Sequence, residues 1–350
     1  MHSLASDNTA PIAPEILRAL YEANEGSAPS YATDRFTSYA REAFSELFKR
    51  EVHVVFTSTG TAANALALAT LCPPWKRVLC QRWSHVMESE AGAPEALGGG
   101  QKLSAPANGS PKLTAADVAH ECMRYKIGDP HSACFGAISI AQATEVGTVY
   151  SLSELEALGT AATAHNVALH IDGARIANAL VSLDCTAAQL VGSANVDALS
   201  FGIAKNGGAF GDAIILFDLA KAEELRFRQM RAGHLMAKNR YVAAQAIAYL
   251  RDDLWLRYAA RANSVALVLE RRIRDRGWST AAPVDANLVF AIMPRAAVDR
   301  LQRAGVAVNL APPARFGMEA DELGGSLIVR FVTSWQTRQS EIDSLWRELD

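Results

Sequence analysis

The chain is poor in the features that mark several common protein classes. Charge is nearly balanced, 34 lysines and arginines against 37 aspartates and glutamates, for a formal net charge of -3. With no basic block, nucleic acid is not an expected partner. No apolar run reaches the length of a membrane span, so no membrane partner is expected either. The first residues, Met1 to Asn8, lack the basic and apolar regions of a signal peptide. The five cysteines (Cys72, Cys80, Cys122, Cys134 and Cys185) are odd in number, irregularly spaced and free of any CxxC pair. They read as small core residues in a reducing compartment, not as disulfides or zinc ligands, and the expected location is cytoplasmic. Internal repeats, low-complexity segments, a Walker A loop and a GxGxxG turn are all missing. What is present is 350 residues, 50% of them hydrophobic, enough for a large core and two domains.

From residue 51 to 217 short apolar runs alternate with helical patterns. Val52 to Phe56 leads into a helix over Thr61 to Leu71. Arg77 to Cys80, Ala137 to Ala141, Ala168 to Ile171, Ala198 to Phe201 and Ala213 to Phe217 read as further strands, and Leu152 to His165 as an amphipathic helix. This alternation predicts an α/β fold with a mainly parallel sheet covered on both faces. Helical pattern dominates from Glu223 to Arg274, with a break near Asp252-Asp253. Strand, helix and strand follow over Asn287 to Ile292, Arg295 to Arg303 and Leu327 to Val332, and a helix over Glu341 to Leu349 closes the chain. The expected division is a large domain over 1–245, then a connecting helix and a small α+β domain over 246–350.

In open α/β sheets ligands sit at the carboxyl ends of strands. Four constellations and one lysine fall there. "FTSTGTAANALAL" passes from strand to helix through Thr59, Gly60 and Thr61, a turn suited to an anion and equally to an ordinary N-cap by Thr59 or Thr61. "ALHIDGARIANAL" sets Asp172 just past an apolar strand, with Arg175 three residues on. The carboxylate either pairs locally with Arg175 or holds a protonated ring nitrogen of a cofactor. His85, in "QRWSHVMESEAGAPEALGG", has no second histidine at i+4 and so does not suggest zinc; it is a hydrogen-bonded structural residue or a ring that stacks on a flat cofactor. Arg330, in "SLIVRFVTSW", either snorkels from an edge strand or grips a substrate carboxylate. Lys205 lies in a glycine-rich loop, "GIAKNGGAFG", either solvated or held as an amine for covalent chemistry with a carbonyl. Taken together, an anion cradle, a buried carboxylate, an aromatic ring, an amine and a carboxylate clamp are the equipment of pyridoxal 5'-phosphate chemistry.

These residues carry a resemblance to the low-specificity L-threonine aldolases, in the β-eliminating lyase group of fold-type I pyridoxal-phosphate enzymes. The likeness spans nearly the whole chain through "SDNTAP" (Ser6 to Pro11), "TGTAANALAL" (Thr59 to Leu68), "GAPE" (Gly92 to Glu95), "ATEVGTVY" (Ala143 to Tyr150), "HIDGARIANAL" (His170 to Leu180), "SFGIAKNG" (Ser200 to Gly207) and "RFVTSW" (Arg330 to Trp335). It implies that Lys205 bonds the cofactor, Asp172 pairs with its ring nitrogen and His85 stacks on the ring. Thr59, Gly60 and Thr61 would hold the phosphate, with Lys238 reaching in from a neighbouring subunit. Ser6, Arg175 and Arg330 would surround the substrate carboxylate. Tyr31 matches a tyrosine lent across a subunit interface, which implies a homodimer or homotetramer with shared sites. The activity implied is retro-aldol cleavage of a small β-hydroxy-α-amino acid to glycine and an aldehyde, with His85 or an ordered water as base. β-Elimination or another reaction on the same scaffold, or cofactor binding without catalysis, are the rival readings. The chain departs from the family pattern in three places: Ala32 replaces a glycine, Ser89-Glu90 stands where an acidic pair is usual, and Thr144 stands nearest to where some members carry a second histidine.

Overall fold

The computed structural model describes residues 4–347 and residue 349. Its main sheet has seven strands: β1 (His53–Thr57), β2 (Arg77–Cys80), β3 (Lys102–Ser104), β4 (Phe135–Ala141), β5 (Ala168–Gly173), β6 (Ala198–Phe201) and β7 (Asp212–Leu216). They lie in the order β1-β7-β6-β5-β4-β2-β3. The pairs from β6 to β3 are parallel, and β7 runs antiparallel to both its neighbours. The sheet is therefore mixed but mainly parallel. β4 and β7 are buried along their whole lengths, as strands covered on both faces must be.

Alternating side chains of each strand feed two cores. Val54 and Phe56 join Phe44, Phe201, Tyr249 and Trp255 on one face. Val55 and Ile214 join the helix Gly60–Leu71 on the other. That helix is apolar all round and buried from Ala62 to Leu71, which explains its lack of an amphipathic stripe. Two helices that the apolar pattern leaves unannounced, Pro14–Glu22 and Arg35–Phe48, cover the first core.

The expected helical stretch 223–274 is broken twice. Besides the turn at Asp252 and Asp253, both with positive φ, it stops after Arg231. Gly233 adopts φ +75, and the amides of Gly233 and His234 bond back to Met230 and Gln229, a glycine stop that cannot continue the helix. The helix Leu254–Asp275 then leads to a four-stranded antiparallel sheet of β8 (Ser279–Thr280), β9 (Leu288–Pro294), β10 (Asn309–Ala311) and β11 (Ser326–Val332), ordered β10-β11-β9-β8. The closing helix is Gln339–Arg347; of the expected Glu341–Leu349, position 348 lies outside the described residues. No helix among the described residues is long and apolar enough to cross a membrane.

The N-terminal segment ties the two sheets together. Leu4 accepts the Val332 amide at 2.7 Å, Ala5 accepts from Asn309 at 3.0 Å and Arg330 at 3.1 Å, and Ala13 donates to Gly207 at 2.9 Å. Residues of the sequence's first motif are thus threaded between β11 and the Lys205 loop.

Candidate active site

Asp172 is the next-to-last residue of β5, level with Ala141 of β4 and Ser200 of β6, and Gly173 ends the strand. Its Oδ1 accepts the Ala174 amide at 2.9 Å and its Oδ2 accepts from Asn64 Nδ2 at 2.9 Å. Burial opposes its charge, but Lys205, the Ala174 N–H, His85 and Asn64 together hold its pKa below the ordinary value. It is a buried, ionised carboxylate. The expected local alternative, an ion pair with Arg175, is not what forms. Arg175 instead turns to Asp7, with Nε to Oδ2 at 2.8 Å and Nη2 to Oδ1 at 3.0 Å. Its Nη1 has no partner in that fork.

Asp7 is buried and also accepts from Asn287 at 3.1 Å. Burial works against it, but Arg175 and Lys205, with the Arg175 and Asn287 bonds, keep its pKa low. Ser6, next to it, caps the short 3-10 turn Asp7–Thr9, its Oγ accepting the Asn8 amide at 3.2 Å.

Lys205 stands in a 3-10 turn, Ala204–Asn206, between β6 and β7. Asp212 Oδ1 holds that turn by accepting the amides of Ile203 at 2.7 Å and Ala204 at 3.1 Å. Lys205 is only partly exposed. Burial, then the neighbouring Arg175, lower its pKa, against the pull of Asp7, Asp172 and Asp212. A lowered pKa favours the neutral, nucleophilic form of a lysine amine.

The anion turn has the expected form. Thr59 caps the helix Gly60–Leu71, its Oγ1 accepting the Ala62 amide at 3.1 Å. The Gly60 and Thr61 amides, at the first positions of the helix, keep no acceptor among the described residues and remain free for an anion. A Cβ at Gly60 would stand 2.9 Å from Asp212 Oδ2, so a side chain there would push on the carboxylate that holds the lysine turn.

His85 begins the short helix His85–Glu88. Its backbone N–H donates to Glu145 Oε1 at 2.7 Å, and its Nδ1 lies 2.7 Å from Glu90 Oε1. Asn64 Nδ2 also donates to that Glu90 oxygen, at 2.8 Å. Ligand atoms of His85, Glu90 and Asp172 all lie within 4.8 Å of one another, the spacing of a metal site. The facing oxygens are spent on Asn64 and His85, so the cluster closes on itself by hydrogen bonds. His170 of the same motif as Asp172 is a satisfied core residue, its ring held between Ser139 at 2.9 Å and Ser200 at 3.0 Å and its pKa lowered to about 4 by burial.

Arg330 is not on an edge strand: β11 lies between β10 and β9. It pairs with Asn309 on one side and Phe290 on the other. Its Nη1 donates to Ala5 O at 3.1 Å, and burial, then Arg175, lower its pKa to about 10, so it stays charged at neutral pH.

Tyr31 and Lys238 are not brought to this cluster. Neither has a hydrogen bond or ion pair to Lys205, Asp172 or His85 among the described residues. They are neighbours of one another instead: the Tyr31 amide donates to Ala237 O at 3.1 Å, Tyr31 is 54% exposed, and Lys238 is exposed too. Thr144 is closed off, buried and bonded to Thr148 Oγ1 at 2.8 Å.

The beta-eliminating lyase family model matches residues 3–296. The chain belongs to that family. It is 39% identical to the low specificity L-threonine aldolase of Pseudomonas aeruginosa, over 99% of this chain and 96% of the relative. A low specificity L-threonine aldolase of Pseudomonas sp. strain NCIMB 10558 is 37% identical, over 97% and 95% of the two chains. Among solved structures, Leishmania major threonine aldolase matches with a TM-score of 0.91 at 28% identity, covering 100% of each chain. A structure of SPT with PLP matches at a TM-score of 0.71 and 16% identity, over 99% of this chain and 85% of the other, and shows the fold alone.

Several residues of this family member's site are absent from the sequence-based set: Asp7, Asn64, Glu90, Glu145 and Asp212. Asn64 had a visible signal, as the one amide in an otherwise apolar helical run. Asp7 and Glu145 lie inside motifs that were read for other residues. Asp212 carried no signal beyond its place in the lysine loop.

Proposed function

We propose that this protein is a pyridoxal 5'-phosphate-dependent aldehyde-lyase that cleaves L-threonine and related β-hydroxy-α-amino acids to glycine and an aldehyde. The observation that carries the reading is a buried, ionised carboxylate, Asp172, close enough to a lysine amine of lowered pKa, Lys205, for each to shift the other's pKa at the carboxyl edge of the sheet. The donor set fits the cofactor: free amides at Gly60 and Thr61 for a phosphate, an anionic oxygen for a protonated ring nitrogen, and an amine for an aldehyde. In this reading Thr59, Gly60 and Thr61 hold the phosphate, Lys205 bonds the cofactor, Asp172 keeps the ring nitrogen protonated, and His85 covers the ring. The bound cofactor supplies an electron sink for the Cα–Cβ bond.

The chain's own residues do the rest. Arg330, with Nε and Nη2 beyond its bond to Ala5, and Arg175, with the Nη1 that Asp7 leaves, receive the substrate carboxylate beside Ser6. Two anchors on one carboxylate fix which substituent of Cα stands in the cleavage position. Asp7, Asp172 and Asp212 favour the charged form of the Lys205 amine, against burial and Arg175. His85 accepts the β-hydroxyl proton. The neighbouring exposed positions of Tyr31 and Lys238 support a homodimer or homotetramer in which each subunit lends these residues to the next site. The small part after about residue 245 contributes Arg330, and a cytoplasmic setting suits the free cysteines.

The test is product analysis. With L-threonine the purified protein with added cofactor should form glycine and acetaldehyde in equal amounts. A 2-oxo acid in place of glycine would show an eliminating or transaminating enzyme instead.

A further inference from the structure

Two residues that the proposed reaction uses separately, Asp172 and His85, are joined by two others. Asn64 Nδ2 donates one hydrogen to Asp172 Oδ2 at 2.9 Å and the other to Glu90 Oε1 at 2.8 Å. Glu90 Oε1 lies 2.7 Å from His85 Nδ1. The Glu90 side chain is 0% exposed, whereas that of His85 is 43% exposed. One edge of the imidazole is therefore locked against a carboxylate inside the protein while the ring still reaches the cleft. Burial pushes the Glu90 carboxyl up, against its bonds to His85 and Asn64; as a carboxylate its Oε1 only accepts, so the nitrogen that faces it is the donor, Nδ1–H. An imidazole bonded in this way offers Nε2 as its only free nitrogen.

We propose that Glu90 is a positioning residue that keeps the His85 proton on Nδ1 and so presents Nε2 as the acceptor for the substrate's β-hydroxyl proton. The inference rests on the aldol-cleaving reading above. In the step, Nε2 takes the hydroxyl proton and the oxygen's electrons become the aldehyde C=O. The Cα–Cβ pair stays with the Cα fragment, and a proton added at Cα completes glycine. Glu90 stabilises the imidazolium that forms in between, as a buried carboxylate does for a catalytic histidine elsewhere.

The charges around the ring agree with this role. Glu90, by its hydrogen bond, raises the His85 pKa against the effect of burial; Asp172 adds to the rise and Lys205 opposes it. Glu145 faces the backbone N–H of His85 and not its ring. Glu90 Oε2 is buried without a partner, so one oxygen carries all of the carboxylate's bonds. Asn64 makes the arrangement a single unit with Asp172: moving Glu90 frees an amide hydrogen beside the residue assigned to the cofactor nitrogen.

The deciding experiment uses holoenzyme with L-threonine, wild type against Glu90→Gln, with kcat and KM measured across pH and the His85 ring followed by 15N NMR. Positioned proton transfer contributes about 10²–10⁴-fold, so kcat should fall at least about tenfold with KM little changed. The acid limb of kcat/KM, which rises as His85 loses its proton, should move to lower pH because the carboxylate no longer raises that pKa. The wild-type 15N pattern should show a neutral ring protonated on Nδ1. Glu90→Asp should recover part of kcat. A wild-type ring protonated on Nε2 overturns the proposal, and so does a Glu90→Gln enzyme whose acid limb stays in place. If Glu90→Gln fails to fold, the wild-type ring pattern still decides. If wild type forms no glycine from threonine, the aldolase reading fails, while the ring pattern reports on Glu90 by itself.

Discussion

Replacing Arg330 by alanine separates a substrate clamp from a fold-stabilising arginine. Its guanidinium is partly desolvated, with a pKa lowered to about 10, and it spends one nitrogen on Ala5 O. Removing one member of a desolvated charge pair costs about 2–5 kcal/mol. At about 1.4 kcal/mol per tenfold, kcat/KM for L-threonine should fall about 30- to 4,000-fold. Part of the loss should appear in kcat, because a loosely held carboxylate lets the scissile bond leave the cleavage position. The structural share of the effect has its own control. Asn309 donates to the same Ala5 carbonyl at 3.0 Å but carries no charge, so Asn309→Ala loosens the N-terminal segment while leaving the guanidinium in place. Steady-state kinetics on both variants, with cofactor absorbance and thermal melting alongside, should show the large loss only in Arg330→Ala. Equal losses in the two variants, or unchanged kcat/KM in Arg330→Ala, would refute the clamp.

Asp172→Asn should still bind cofactor but lose most of its turnover, measured with threonine, because a neutral amide cannot stabilise a pyridinium; unchanged kcat would end that assignment. Asp7→Ala leaves the nearly buried Arg175 unpaired, and breaking such a pair costs about 3–5 kcal/mol, so denaturant unfolding near neutral pH should show a loss of that order. Because the Asp7 pKa is lowered in the fold, its contribution is present above the unfolded value near 3.8 and fades as pH falls through the lower folded value, so the gap between wild type and variant should close in strong acid. Mixing two inactive variants, Tyr31→Ala and Lys205→Ala, should restore activity if subunits share sites; no recovery despite shown subunit exchange would place Tyr31 within its own chain.

Much of the architecture was legible because the strands of a doubly covered sheet are continuous apolar runs with clear ends. The readings Arg77 to Cys80 and Ala198 to Phe201 coincide with β2 and β6 residue for residue. The helix over Arg295 to Arg303 is also found as read. The second break in the long helical stretch escaped because Gly233 acts through its φ, which a hydrophobic pattern does not record. At the site, the reactive types announced themselves by their places on strand ends: Lys205, Asp172, and Gly60 with Thr61. Their partners did not. Asp7 finds Arg175 across 168 positions, and Asn64 finds Asp172 across 108, pairings that exist only after the sheet has formed. Local spacing left open a pair between Asp172 and Arg175, three residues apart, and tertiary structure gave Arg175 another partner, Asp7. The edge-strand alternative for Arg330 could not be settled locally either, since whether a strand is central or at an edge depends on β10, a three-residue strand too short to read.

The account stands or falls on Lys205 as the residue that carries the cofactor. Holoenzyme reduced with borohydride, digested and mapped by mass spectrometry gives the most direct answer, since reduction fixes the cofactor to the amine that holds it. The account predicts a yellow protein bleached by the reductant and a single cofactor-bearing peptide modified at Lys205. Label on Lys238, or none on any lysine, would contradict it.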